Sequence, residues 1–241
     1  MNKTFENKIK YYFESNIKLS KQELILAIKK DFPNWSGNTI NMYLSKLKKE
    51  GIINNSSRGV YELGRSEKFK PTINPLLKKI YTKIHKEYPF VNCCIWSTSW
   101  LNDLMRHQPF KQYTVIEVEK EATEQIFNNL NDNFKNVFLN PDSEIFDRYI
   151  SSVDEVIIVK NLISEAPLEK IDKISIPTLE KLLVDMLIDE QLFAAQQGEI
   201  EFILKTAFGK YPINKLKMKR YAVRRNREIE LEKIINISLA K

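Results

Sequence analysis

Glycine is scarce in this chain, with 6 among 241 residues. That leaves little material for phosphate-cradling loops, and no GxxxxGK, GxGxxG or GxSxG pattern occurs. Cysteine and histidine are scarcer still, at two each. Cys93 and Cys94 are adjacent, a spacing that rarely closes an unstrained disulfide and is not a metal-ligand spacing. They read as reduced core thiols. His85 and His107 are too few for a histidine-rich metal site. His107, late in an expected helix, reads as a C-terminal charge or hydrogen-bonding group. No stretch approaches the roughly 20 apolar residues of a membrane span, and the opening MNKTFENKIKYYFESN lacks the apolar core of a secretory signal. These absences predict a soluble, cytoplasmic protein with no membrane partner, cofactor or metal, and they argue against an enzyme.

What the chain does contain is an uneven charge. Its length is comfortable for two domains, and 43% hydrophobic residues are enough for packed cores. The net charge is +7. Residues through Arg65 hold 12 Lys and Arg against 6 Asp and Glu, while the remainder holds 26 against 25. Nearly all the excess therefore falls on the first quarter, as expected of a segment that meets a polyanion.

That first quarter predicts a winged helix-turn-helix over residues 1–65. Phe5, Ile9, Tyr12 and Phe13 recur at helical spacing. Ser20 and Glu23 form a capping box for a second helix, whose buried side is expected to include Leu24, Leu26, Ile28 and Phe32 before Pro33 stops it. Ser36 caps a third helix with Ile40, Tyr43, Leu44 and Leu47 inward, ending at Gly51. Ile52 and Ile53, a turn over 54–59, and Val60, Tyr61 and Leu63 then make a two-stranded wing. With the apolar side inward, Asn38, Thr39, Asn41, Met42, Ser45, Lys46, Lys48 and Lys49 are the candidate DNA-facing residues of the third helix. Asparagine bonds adenine bidentately in the major groove, and serine and lysine suit phosphates or base edges. Arg58 at the wing tip is placed for a minor-groove or phosphate contact. The plainer alternatives are lysines that serve only solubility and a winged helix used for protein docking.

The polar link 64–71 ends in Pro71 and marks a boundary. Beyond it, residues 70–241 read as a mixed α/β domain with a helical C-terminal part. Helices are expected at Pro75 to Tyr88, Thr98 to Gln108, Glu121 to Leu130 and Ser143 to Ile150. Strands are expected at Val91 to Trp96, Tyr113 to Val118, Asn136 to Leu139 and Val156 to Leu162. From Thr178 the pattern is helical, with breaks at Gly209, Tyr211 and Pro212. The fold class is therefore α+β or α/β, fronted by the winged helix.

One catalytic alternative deserves weight, a metal-dependent nuclease. Glu117-Val118-Glu119-Lys120 ends a strand much as nuclease acids and lysine do. Val118 occupies the position two before Lys120, so the pattern fails by one register. Asp103 or Asp142 would have to supply a further acid. Nearer the C-terminus, Lys215, Lys217, Lys219, Arg220, Arg224, Arg225 and Arg227 form a second basic cluster. It reads as a solvated helix face balanced by Glu228, Glu230 and Glu232, or as an extension of the DNA footprint through Arg220, Arg224 and Arg225.

The segments STSWLNDLMRHQPF, TVIEVEKEATEQIFNNL, NVFLNPD, YISSVDEVIIVKNLISEAP, PTLEKLLVDML and INKLKMKRYAVRR resemble the AbiE-type abortive-infection antitoxins and a bacterial family related to them. The likeness spans most of Trp96 to Arg225, and PTLEKLLVD, Pro177 to Asp185, carries the most of it. It implies the antitoxin half of a type IV toxin–antitoxin operon, whose winged helix represses the shared promoter. The implied partner is a nucleotidyltransferase-like toxin, countered without a tight protein complex.

Overall fold

The computed structural model describes residues 3–14, 16–64 and 68–239. The fold is mixed α/β, and the chain forms two compact units: Met1–Lys68 with Lys210–Pro212, and Phe69–Gly209 with Ile213–Lys241. The expected first domain ends at Arg65, which lies outside the described residues. No described helix is long and apolar enough to cross a membrane.

The first unit runs α1 (Lys3–Tyr12), β1 (Lys18–Ser20), α2 (Lys21–Asp31), α3 (Gly37–Lys49), β2 (Ile53–Ser57) and β3 (Val60–Leu63). Its strands pair antiparallel in the order β1-β3-β2. This is a winged-helix arrangement with one more strand than the sequence suggests, because three residues are too few to display alternation. The Ser20 hydroxyl accepts from the Glu23 amide at 3.2 Å, and the Glu23 carboxylate accepts from the Ser20 amide at 2.7 Å, a capping box that starts α2. Ser36 accepts from the Thr39 amide to start α3. At the other end of α3 the amides of Gly51 and Ile52 donate to the carbonyls of Lys48 and Leu47. Gly51, at φ +74°, takes the left-handed conformation that this helix-ending pair of bonds requires.

Phe5, Ile9, Leu24, Ile28, Ile40, Leu44, Leu47 and Ile53 fill one core between the three helices and the sheet. Leu26, expected among them, is 63% exposed instead. Leu24 and Ile28, one turn apart, define the buried line of α2, and Leu26 falls between them on the opposite side.

In the second unit α4 (Pro75–Glu87) is capped by Asn74, whose side chain accepts from the Leu77 amide. Then follow β4 (Cys93–Ser97), β5 (Thr114–Val118), α5 (Thr123–Asn131), β6 (Val137–Leu139), α6 (Ser143–Arg148) and β7 (Ile157–Asn161). The sheet order is β4-β5-β7-β6, with β4 antiparallel to β5 and the others parallel. Thr98–Leu104, expected as an α-helix reaching Gln108, is a 3-10 segment ending before Met105. A hairpin follows, β8 (Leu168–Ile171) and β9 (Ile174–Pro177), which sequence patterning did not mark.

The chain ends in α7 (Leu179–Ile188), α8 (Ala194–Gln197), α9 (Ile200–Lys210), α10 (Lys215–Arg224) and α11 (Glu228–Leu239). Gly209 does not break the helical run, since α9 continues through it to Lys210. A single glycine costs a helix only about 1 kcal/mol relative to alanine, which packing offsets. Pro177 closes β9 and lies outside the helix, paired with Leu168.

Cys93 and Cys94 are both buried and unbridged in β4. Burial, helped by the charge of Glu119, pushes the Cys93 thiol up to about 12. Burial and Glu117 raise Cys94 well above the ordinary thiol range. Only a thiolate attacks a disulfide reagent, so neither should react with an aromatic disulfide in the native protein, and both should react in denaturant. Labelling of the native protein at the denatured rate would contradict this placement.

Candidate nucleic-acid interface

α3 presents two sharply different sides. Ile40, Leu44 and Leu47 are buried, whereas Asn38, Asn41, Met42, Ser45, Lys46 and Lys48 are exposed. Thr39 is half-buried, and its hydroxyl lies 2.8 Å from the Ser36 hydroxyl. Its primary role is therefore in the helix cap. The Lys49 side chain lies outside the described residues. Helical geometry places Asn38, Met42 and Ser45 along the middle of the exposed side, with Lys46 and Lys48 on opposite flanks.

The helix is held in this orientation by aromatic packing at its base. Trp35 stacks on Phe32 and on Tyr43, with centroids 4.3 and 4.6 Å apart, and Phe5 packs edge-on against Phe32 and Trp35. The wing is tighter than expected. β2 continues to Ser57, which pairs with Val60 after a bulge at Asn55–Ser57, so the turn is only Arg58-Gly59. Gly59 at φ +77° allows that two-residue reversal. Arg58 stands exposed at its tip.

The cations of this unit are largely uncompensated. Lys8 pairs with Asp31, at 3.2 Å. Lys46, Lys48 and Arg58 take no part in it, so their charge faces solvent.

The second unit uses charge in the opposite way. Lys181 on α7 is fully buried, and its ammonium lies 2.6 Å from both Glu117 of β5 and Asp185 one turn along its own helix. Glu117 also accepts from the Trp96 indole N–H at 3.0 Å, and Asp185 accepts from the Tyr221 hydroxyl at 2.8 Å. The Arg225 guanidinium, 3.8 Å from Asp185, supplies the second positive charge that two carboxylates require. Burial opposes the charge on Lys181, but Asp185 and Glu117 outweigh it and hold the ammonium well above the usual lysine range. Burial and the charge of Asp185 likewise push the Tyr221 phenol upward. Glu180, the neighbour of Lys181, accepts from the Asn214 amide at 3.0 Å and so fixes the start of α10.

Residues 39–241 match a family described only as a family of unknown function, DUF6577. The chain belongs to DUF6577. No curated protein matches the chain. The DUF6577 match begins within α3, and it takes in every member of the buried network, from Trp96 to Arg225.

The remaining sequence candidates separate cleanly. Glu117 points into the core, where Lys181 and Trp96 engage its carboxylate. Glu119, half-buried past the end of β5, accepts from Asn92. Asp142 caps α6 through the Ile145 amide. Among the described residues no three His, Cys, Asp or Glu side chains gather as a metal-binding group. His85 stacks on Tyr81, and exposed His107 pairs with Glu199 at 2.7 Å.

The C-terminal basic cluster is mostly neutralised within its own unit. Arg224 pairs with Glu165, Lys219 with Glu228 and Glu232, and Arg227 with Glu230. The open groove of about 480 Å³ beside Arg225 is lined by Asp189 and Glu190 as well, which does not favour a phosphate. Of the three arginines considered for DNA, only Arg220 is exposed without an ion pair among the described residues.

Lys181, Asp185 and Tyr221 were not singled out from sequence as site residues. A lysine and an aspartate four apart inside the largely apolar LEKLLVDMLI, beside Glu180, were the available signal. Lys181→Met should cost about 3–5 kcal/mol in urea unfolding, because it strands two buried carboxylates. Tyr221→Phe should cost about 1.5–3 kcal/mol, the worth of a hydrogen bond to a charged group. A Lys181→Met protein as stable as the wild type would show that the network is not what holds α7 to the sheet.

Proposed function

We propose that the chain binds double-stranded DNA through α3 and the wing and represses transcription from its own promoter. The observation that carries this is the exposed side of α3: amides, a hydroxyl and flanking lysines, with no carboxylate paired to any of them among the described residues. A solvated helix needs no such bias, whereas a helix entering a groove gains from phosphate contacts on both walls. Arg58, raised on a two-residue turn, provides a contact outside the major groove.

On the resemblance to AbiE-type antitoxins, the repressor is the antitoxin of a type IV operon, non-enzymatic and cytoplasmic. Its functional partner is a nucleotidyltransferase-like toxin that it counters without a tight complex. The buried network then has a structural task in the second unit. A reading frame for a nucleotidyltransferase beside this gene, with growth arrest relieved by co-expression of this chain, is the outcome expected of that assignment.

DNA binding itself is tested by fluorescence anisotropy of the full chain on duplex from its own upstream region. Affinity should fall steeply with salt, and Lys46→Gln or Lys48→Gln should each reduce the slope of log K against log salt by about 1. Binding that is absent, or indifferent to salt and to both substitutions, would defeat the proposal.

A further inference from the structure

The DNA-binding reading leaves open which duplexes are preferred, and the chemistry of the exposed side chains narrows that choice. The middle of the outer side of α3 carries Asn38, Met42 and Ser45, with Asn41 beside them, all exposed. All four fall within the first nine residues of the helix, the part that reaches base edges when a recognition helix enters the major groove. A carboxamide matches the N6–H donor and N7 acceptor of adenine and has no comparable bidentate match on guanine.

Met42 is 58% exposed, with its thioether arm in water. An apolar arm beside the Asn38 and Asn41 amides on this surface is suited to the thymine methyl group, the apolar feature of the major-groove edge. Of the two side chains that pair with guanine in the major groove, arginine is absent from α3 and the described lysines are off the middle of its exposed side. Its described lysines, Lys46 and Lys48, stand on the two flanks, toward the phosphates.

The wing points the same way by a separate route. Arg58 is the arginine at its tip, and arginine is drawn into the narrow, strongly negative minor groove of A-tracts. Amides and a methionine for the major groove, with an arginine for the minor, agree on one substrate class.

We infer that the sites this surface reads are A·T-rich, with Asn41 and Met42 as specificity-determining residues: Asn41 for adenine and Met42 for the methyl of thymine. The inference rests on the DNA-binding reading above and adds base preference to it. Both side chains are exposed, so replacing them leaves the core of the first unit intact.

The test uses the full chain. Duplexes with a randomised centre are selected for binding, and the winning site is measured by anisotropy beside versions with central A·T pairs changed to G·C. The selected centre should be A·T-rich, and Asn41→Ala should reduce discrimination by roughly 5- to 100-fold. Replacing thymine by deoxyuridine removes only the methyl group. It should weaken the wild type by about 4-fold and leave Met42→Ala unaffected. An unbiased or G·C-rich selection, or full A·T discrimination retained by both variants, overturns the inference while salt-sensitive binding keeps the underlying reading. Loss of all salt-sensitive binding in the wild type overturns both.

Discussion

A single buried ammonium organises the second unit. Lys181 has no solvent exposure, and its charge is tolerable only because Glu117 and Asp185 lie within hydrogen-bonding distance on two sides. Those two carboxylates come from different places, one from the sheet and one from the same helix. The Trp96 indole and the Tyr221 hydroxyl complete their hydrogen bonding, and Arg225 balances the second negative charge. Strand β4, strand β5, α7 and α10 are thereby tied at one point. Removing any one of these charged partners would leave an uncompensated charge in a dry interior.

The two units illustrate opposite uses of the same residue types. In the second, lysines and arginines are matched to acids across short distances, buried at Lys181 and half-exposed along α10. In the first, the exposed lysines of α3 and Arg58 are left without partners among the described residues. Charge held apart from its counterion costs stability through self-repulsion. Such an arrangement makes physical sense when the counterion is supplied by another molecule, and a phosphate backbone supplies it in regular spacing. The net charge of +6 through Arg65 and +1 over the remainder matches this difference.

Much of the first unit was legible in the residues themselves. Ser20 with Glu23, Ser36, Pro33 and Gly51 are local signals, each acting within a turn of where it stands, and each delimits the helix it was expected to delimit. The four strands of the larger sheet in the second unit declared themselves as short apolar runs. What escaped was short or depended on distant partners. β1 is three residues long, the hairpin of β8 and β9 contains charged residues on its exposed side, and Leu26 looks apolar without a surface to cover it. No local rule separates Leu26 from Leu24; only the direction in which α2 faces the core does.

Composition and spacing alone determined that there are two regions of different charge, that the first is built of capped helices and a wing, and that α3 offers amides and lysines on one side. These are properties of neighbours in the chain, and periodicity reports them faithfully. Tertiary structure decided the fate of individual charges. Glu117 stood as a candidate nuclease acid and Arg225 as a candidate DNA contact, yet both are directed inward by residues 64 and 40 positions away, at Lys181 and Asp185. Electrostatic partnership acts through space at a few ångströms and is blind to chain distance. A list of charged residues therefore cannot say which of them are already neutralised and which remain available to a partner.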